Sequence, residues 1–433
     1  MRKRFIGIIC SIALASTLLL GCGTMTTIPQ TTAEQTAKTN NDSEIYMFIS
    51  SPEYADAINE LIAAYKEVEP DVTINYETTQ GDYRQLLVTK IESGQIPDIF
   101  ASMSGMEIDT YLDYSYDLSN EKMAKVMSDS IKDTMVSEKE NGGIYGFALK
   151  GNWFGCVYNK DIFEKVGIEY PQTFSELEVA CKKISDAGYI PFTTGFGEWW
   201  VFKHIGQHFV SAAAEEAGIS SAELIRRFQS GEAKIADYPE MYQLFDFIDL
   251  AVQYGDKRVL ETTLSDEERA FANNDVAMML GQGAWVEADC MEMNPHLNIG
   301  FDGYPVSDNP EYTKPVSGSD QALRVYKDSK NLKEVLKFVN WWYTSDYGRQ
   351  WFTDVAGVVP PIDTDSQSEY VIINTAQEEA GKKGTADIAI SYDTDSMHEK
   401  FGKELQDYIA GNATREETCA AMEETWKQID GFK

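Results

Sequence analysis

The residues of this 433-residue chain that could do chemistry are few in kind. His204 and His208, in the stretch HIGQH, have the i, i+4 spacing that sets two imidazoles on one helix face, as zinc hydrolases do. The glutamate such enzymes place after the first histidine is missing, because position 205 is Ile and Gly206 interrupts the helix. The pair reads as surface or hinge histidines, and no metal is assigned. There is no GxSxG elbow for a nucleophilic serine and no GxxxxGK[ST] loop for nucleotide phosphates. Gly281-Gln282-Gly283 lacks the third glycine of a dinucleotide fingerprint. With 70 acidic residues, some carboxylate pair will always resemble a glycosidase dyad, so abundance carries no signal. No catalytic residue and no cofactor is assigned.

The tryptophans carry more information. Trp153, Trp199, Trp200 and Trp285 stand beside Gly, Asn, Gln or Glu rather than inside apolar periods, and Gly195–Trp200 is the densest such site. A flat apolar ring next to planar polar side chains is what the C–H face and the hydroxyls of a sugar require. The alternative for each ring is core filling, the reading preferred for Trp341, Trp342, Trp351 and Trp426 on periodic or flanking positions.

The N-terminus reads as a signal peptide: Met1-Arg-Lys-Arg4 is basic, and Phe5–Leu20 is apolar but short of the ~20 residues a bilayer needs. Leu19-Leu-Gly-Cys22 resembles the bacterial lipobox, so residues 1–21 are expected to be removed and Cys22 to be diacylated. Two acyl chains suffice for stable anchoring. Residues 22–42, rich in Thr, Gln and Asn, read as a flexible tether. A net charge of -33 disfavours nucleic acid and anionic headgroups as partners. Cys156, Cys181, Cys290 and Cys419 form no CxxC pair, and Cys181 lies on an apolar helix face, which favours packed free thiols.

The elements that must position the tryptophans follow from periodicity. Ile45–Ser50 is a short strand, and a helix from Ser51 sets Ile58, Leu61, Ile62 and Tyr65 on one face. Asp71–Glu77 alternates like a strand, a helix runs from about Asp82 to Gly94, and Ile96–Phe100 is a third strand. Tyr145–Tyr158 is strand-like but broken by Gly151 and Gly155. Thr173–Glu176 is a capping box, with Leu177, Ala180, Cys181 and Ile184 behind it and Gly188 as terminator. Residues 241–254, 331–343 and the stretch after Thr414 are amphipathic helices. The fold class is α/β, and a body of about 390 residues calls for two lobes.

Several stretches together carry a resemblance. They are Ser93-Gly-Gln-Ile-Pro-Asp-Ile-Phe100, Gly143-Ile-Tyr-Gly-Phe147, Tyr158-Asn-Lys-Asp-Ile-Phe163, Pro171–Leu177 and Ala187–Phe192, then Phe271–Met278 with Gly283-Ala-Trp285, and Lys333–Tyr343. In this order they resemble the extracellular solute-binding proteins of family 1, the sugar-binding lipoproteins of carbohydrate ABC importers and relatives of maltose-binding protein. The resemblance covers residues 44–433. It implies a two-lobe periplasmic-binding-protein-like fold, a ligand cleft between the lobes, and three interlobe crossings near Phe147–Gly151, Ile299–Gly303 and Val325–Asp328. Lobe 1 would hold 43–148 and 301–325, and lobe 2 would hold 149–300 and 326–433.

The same resemblance implies that Ser51, Glu53, Asp82, Arg84 and Ser102 reach the cleft from lobe 1. Trp153, Glu198, Trp199 and Trp285 would come from lobe 2, and Asp320 from the Gly318-Ser-Asp320 loop. Trp199 and Trp285 are the expected stacking plates, with Asp82, Arg84, Glu198 and Asp320 as hydroxyl partners. Asp82 has the alternative of a helix cap, Glu53 and Arg84 that of exposed charges, and Asp98 and Asn159 read as turn and strand-end structure. The implied function is capture of a carbohydrate, an oligosaccharide in form, by lobe closure and its delivery to ABC permease subunits with a separate ATPase. The protein would act as a lipid-anchored monomer on the extracellular face of the cell membrane. A sugar sensor partnering a membrane kinase, or a surface glycosidase, are the alternatives.

Overall fold

The computed structural model describes residues 43–79, 83–137, 139–140, 142–363 and 368–428. The expected leader, Cys22 and tether lie outside the described residues, as does Asp82. Nine strands occur among the described residues: β1 (Ser43–Ile49), β2 (Val72–Thr78), β3 (Ile99–Met103), β4 (Asn152–Asn159), β5 (Ile190–Thr193), β6 (Val276–Gly283), β7 (Ile299–Asp302), β8 (Val316–Gly318) and β9 (Gln321–Val325). They form two sheets. The first has the order β2-β1-β3-β9, and the second has the order β5-β6-β4-β7 with β8 also paired to β4.

In the first sheet β1 runs parallel to β2, in register from Ser43–Val72 to Ile49–Thr78, and parallel to β3; only β9 is antiparallel. This is the β-α-β-α-β order expected from the opening sixty residues. The intervening helices are Ala55–Val68, with Ile58, Leu61 and Tyr65 buried, and Tyr83–Glu92. The third strand starts three residues later than expected. Pro97 has no N–H to give a ladder, while Asp98 accepts from the Tyr46 N–H at 2.8 Å and so acts as the turn residue anticipated.

The second sheet sits on the helix Trp199–Glu216, whose buried face runs from Val201 to Ala214 without a break at Gly206. Helices Pro239–Tyr254, Asp395–Ile409 and Arg415–Lys427 complete that core. The capping residues behave as their chemistry dictates. Thr414 Oγ1 accepts the Glu417 N–H at 3.2 Å and Glu417 Oε2 accepts the Thr414 N–H at 2.9 Å, a full box. Thr173 accepts from the Glu176 N–H at 3.3 Å, but Glu176 turns to the Gln172 N–H instead, so that box is half closed. Asn159 caps the helix Lys160–Val166 through the Ile162 N–H at 3.1 Å. Cys156, Cys181, Cys290 and Cys419 are all free and buried.

The division between lobes departs from the expected one in two places. β7 pairs with β4, Cys156 facing Asp302, so the chain from residue 301 to 318 stays with the second sheet. Helices Leu332–Thr344 and Asp346–Asp354 bury Val335, Phe338, Val339, Trp342, Trp351 and Phe352 in the core of the first sheet, not the second. An apolar stripe states that a helix has a core on one side and says nothing of which core. The three passages between lobes therefore fall after Phe147, between Gly318 and Gln321, and between Ile362 and Val371. Trp342 is fully buried at the centre of this late addition, 5.2 Å from the Trp351 ring and 5.9 Å from that of Phe352. Trp342→Ala is expected to destabilise the protein by about 3–5 kcal/mol, read as a lowered urea midpoint.

Candidate functional site

Parallel strands β1 and β3 end on the same edge of their sheet, the place where open α/β sheets present ligands. Ser50 follows β1, and Ser102 and Met103 close β3, so the three meet there. A cleft of about 580 Å³ opens at this edge and is closed on its far side by Trp199, Lys203, Ser396 and Glu399 of the second lobe.

The floor is held by Arg324, which is fully buried. β9 sets Arg324 opposite Phe100. Its Nε donates to Ser102 Oγ at 3.1 Å, Nη1 to Ser115 Oγ at 2.9 Å and to the Tyr145 carbonyl at 3.2 Å, and Nη2 to the Glu107 carbonyl at 2.6 Å. Burial pulls its pKa down to about 9, with Glu107, Tyr111 and Asp109 opposing. Ser102 in turn gives its proton to the Met103 carbonyl at 2.7 Å, so this hydroxyl is spent on the floor and can only accept from a ligand. Glu107, also buried, accepts the Met103 N–H at 2.8 Å with Oε2, while Oε1 lies 3.7 Å from Arg84 Nη2. Tyr83 Oη accepts the Ala101 N–H at 2.6 Å and lies 3.0 Å from the Phe48 carbonyl, which fixes its ring in the wall.

The second lobe supplies an aromatic plate. Trp199 is the first residue of its helix and half-buried, with Lys203 Nζ 5.6 Å from its ring centroid. It is seated by Gly402, where any Cβ would stand 2.5 Å from the Trp199 carbonyl oxygen. Only glycine lets the helix Asp395–Ile409 come this close and turn Ser396 and Glu399, one turn apart, toward the cleft. At the cleft's inner end Asp320 Oδ1 accepts from Asn152 Nδ2 at 2.7 Å, which ties the passage before β9 to the start of β4. Gln321 bridges Ser50 and Ser51 at 2.8 and 2.9 Å. Two cations (Arg84, Lys203) and three acids (Glu107, Asp320, Glu399) line the cleft, with Arg324 buried beneath its floor, although the chain carries -33 overall. Such mixed charge suits a neutral, hydroxyl-rich molecule better than an ion.

Of the residues expected here, Arg84, Ser102, Trp199 and Asp320 are brought together. Glu53 lies in the short turn Pro52–Tyr54. Trp153 is elsewhere: it is 7% exposed and packs with Val157, Phe271 and Phe301 in a core of the second lobe. Trp285 lines a neighbouring small pocket with Tyr54, Lys150 and Asn152, its ring 5.5 Å from Phe154 and 5.4 Å from His204. Glu198 does not line the cleft; burial raises its pKa, while bonds from the Leu264 backbone and the Trp200 indole act the other way. His204 and His208 are buried rather than at the surface or a hinge, because their helix lies flat on β6. His204 Nδ1 is 2.9 Å from the Gly281 carbonyl, and burial holds the His208 pKa down to about 3. Among the described residues no group of three or more His, Cys, Asp or Glu is arranged to hold a metal ion. Tyr83, Glu107, Tyr111, Lys203, Ser396 and Glu399 were missed. Tyr83 and Lys203 stand next to or near carried-over positions, but Ser396 and Glu399 sit in a helix with no sequence signal of a site.

A polar relay lies behind the plate. Trp285 Nε1 donates to Gln282 Oε1 at 3.0 Å, and Gln282 Nε2 donates to Glu267 Oε2 at 2.7 Å. Glu267 is fully buried beneath the loop that leads to Trp199. At Gly195 (φ +57°) a Cβ would lie 2.4 Å from its Oε2. Burial holds the Glu267 pKa well above the carboxylate range, and the nearby carboxyls Glu198 and Glu268 push the same way. The folded state thus keeps a proton that the unfolded chain loses above about pH 4.3, so stability falls as pH rises from there toward the folded pKa. Glu267→Gln is expected to remove up to about 1.4 kcal/mol per pH unit from that slope. Urea unfolding at pH 5, 7 and 8.5 checks this; an unchanged slope would show that Glu267 folds ionised.

Residues 50–349 match the model of the bacterial extracellular solute-binding proteins. The chain is 24% identical over 361 residues to the multiple sugar-binding protein of Streptococcus mutans, covering 81% of each. It is 22% identical over 306 residues to the melibiose/raffinose/stachyose-binding protein MelE of Bacillus subtilis, covering 68% of each. Among solved structures, the open conformation of the binding protein MsmE from Bacillus subtilis superposes with a TM-score of 0.76 at 17% identity, over 89% of this chain and 97% of that one. RafE in complex with raffinose gives 0.74 at 21% identity, over 89% and 98%. These likenesses show the two-lobe fold.

Proposed function

The chain belongs to the bacterial extracellular solute-binding protein family, and from that premise we propose that it captures an oligosaccharide in the cleft between its lobes and passes it to an ABC permease. The observation that carries this reading is the pairing of one plate, Trp199, with the planar and charged groups of Arg84, Glu107 and Asp320 across a single opening. A pyranose stacks its C–H face on such a ring and bonds its hydroxyls to such groups. The names of the Streptococcus mutans and Bacillus subtilis relatives support the same class of ligand.

Capture proceeds by closure. Three passages joining two rigid cores form a hinge, and a ligand touching both walls has more contacts when they approach. That differential affinity is what shifts the population toward the closed form, which presents both lobes together to the permease. We extend the proposal to the N-terminus: a diacylated Cys22 followed by the tether of residues 22–42 holds the monomer at the extracellular face, where the permease is at high effective concentration.

Calorimetry of the purified protein against glycans of different backbone and length tests this. Saturable heat with one class is expected, weakened at least about tenfold by Trp199→Ala. Heat with amino acids, peptides or polyols and none with any glycan would overturn the carbohydrate assignment.

A further inference from the structure

Past Arg84 and Glu107 the cleft does not end. A second chamber of about 250 Å³ lies there and shares Arg84, Glu107 and Ser396 with the main one. Thr110 and Met106 come to it from the first lobe; Thr394, Lys400, Thr425 and Gln428 come from the second. Both lobes therefore contribute to it, as they do to the main cleft. Its lining is hydroxyl, amide and amine with two methionines, and it includes no aromatic ring, whereas Tyr83, Tyr111 and Trp199 all face the larger space.

Size and chemistry set what could enter. A hexose residue displaces several waters, roughly 150–200 Å³ at about 30 Å³ each, so the small chamber has room for one ring and the larger for about three. Arg84, with 61% of its side chain exposed and its guanidinium 3.7 Å from Glu107, stands at the junction of the two spaces. A chain lying along the groove would pass it where one ring joins the next. Without a plate, the small chamber would hold its ring through hydroxyl bonds alone, which reads the configuration of each carbon more than the bulk of the ring.

We propose that the chamber lined by Thr110, Lys400, Thr425 and Gln428 is a further subsite that takes the terminal residue of an oligosaccharide seated in the main cleft. The inference rests on the carbohydrate reading above and adds to it a minimum chain length. Ligands too short to pass Arg84 fill the main cleft only; longer ones gain the second chamber.

The test uses the full-length protein and three graded series: melibiose, raffinose and stachyose; malto-oligosaccharides; and xylo-oligosaccharides. Thr110→Trp and Gln428→Trp each place a ring in the small chamber from an exposed position on opposite walls, with melting curves as the check on folding. In whichever series binds, one added unit should tighten binding about tenfold. Both variants should abolish that gain while leaving the shorter ligand within about twofold of wild type. A gain that survives both variants, or a loss shared equally by short and long ligands in folded protein, overturns the subsite and leaves the carbohydrate reading standing. Silence from all three series, with heat from a non-carbohydrate solute, overturns both.

Discussion

A buried guanidinium must find acceptors for its donors within the fold, or the fold loses several kcal/mol. Arg324 answers four of its five N–H donors with acceptors drawn from four separate stretches: Ser102 on β3, the Glu107 carbonyl, Ser115 and the Tyr145 carbonyl. The demand shapes everything above it. Because Arg324 must find these acceptors together, the end of β3, the segment from Glu107 to Ser115 and the approach to the first passage at Tyr145 are all held in one layer. Because Arg324 arrives on β9, that layer depends on a strand separated from β3 in the chain by the whole second sheet.

Side chains on that floor are largely occupied by the protein itself. Ser102 has donated its proton and Glu107 is bonded to Met103. The groups left for a ligand are therefore few and fixed in place, the condition under which ordering costs on binding are small. The second lobe follows the same plan. Trp199 is clamped between its own helix and Gly402, and the loop that leads to it rests on the carboxyl of Glu267. In the closure proposed above, two half-sites fixed in this way leave the motion to the passages between lobes.

Much of this was legible where local chemistry decides the outcome. The alternation of Val72, Ile74 and Tyr76 predicts β2, and Thr414 with Glu417 predicts the start of the last long helix, since both depend on neighbours within a few residues. Legibility fails where distant chain decides. The helix Leu332–Thr344 shows its apolar stripe plainly, but the core that receives it is set by where β9 lies. Trp153 was misjudged for a related reason. Its sequence neighbour Asn152 reaches the cleft through Asp320, yet successive strand residues face opposite sides, so Trp153 enters the core instead. Ser396 and Glu399 become cleft residues only because Gly402 admits their helix, a contact between positions some two hundred residues apart that no window of sequence displays.

The hydrogen bond between Asn152 and Asp320 joins two of the three passages at the inner end of the cleft, and it uses only one oxygen of the Asp320 carboxylate. The other oxygen belongs to the same small rigid group as the one on the hinge. A solute that engages it would pull on a lever whose short arm is already fastened to the second lobe. Occupancy and domain angle would then be read from one side chain, so an optical label near residue 152 would register filling of the cleft without touching the solute.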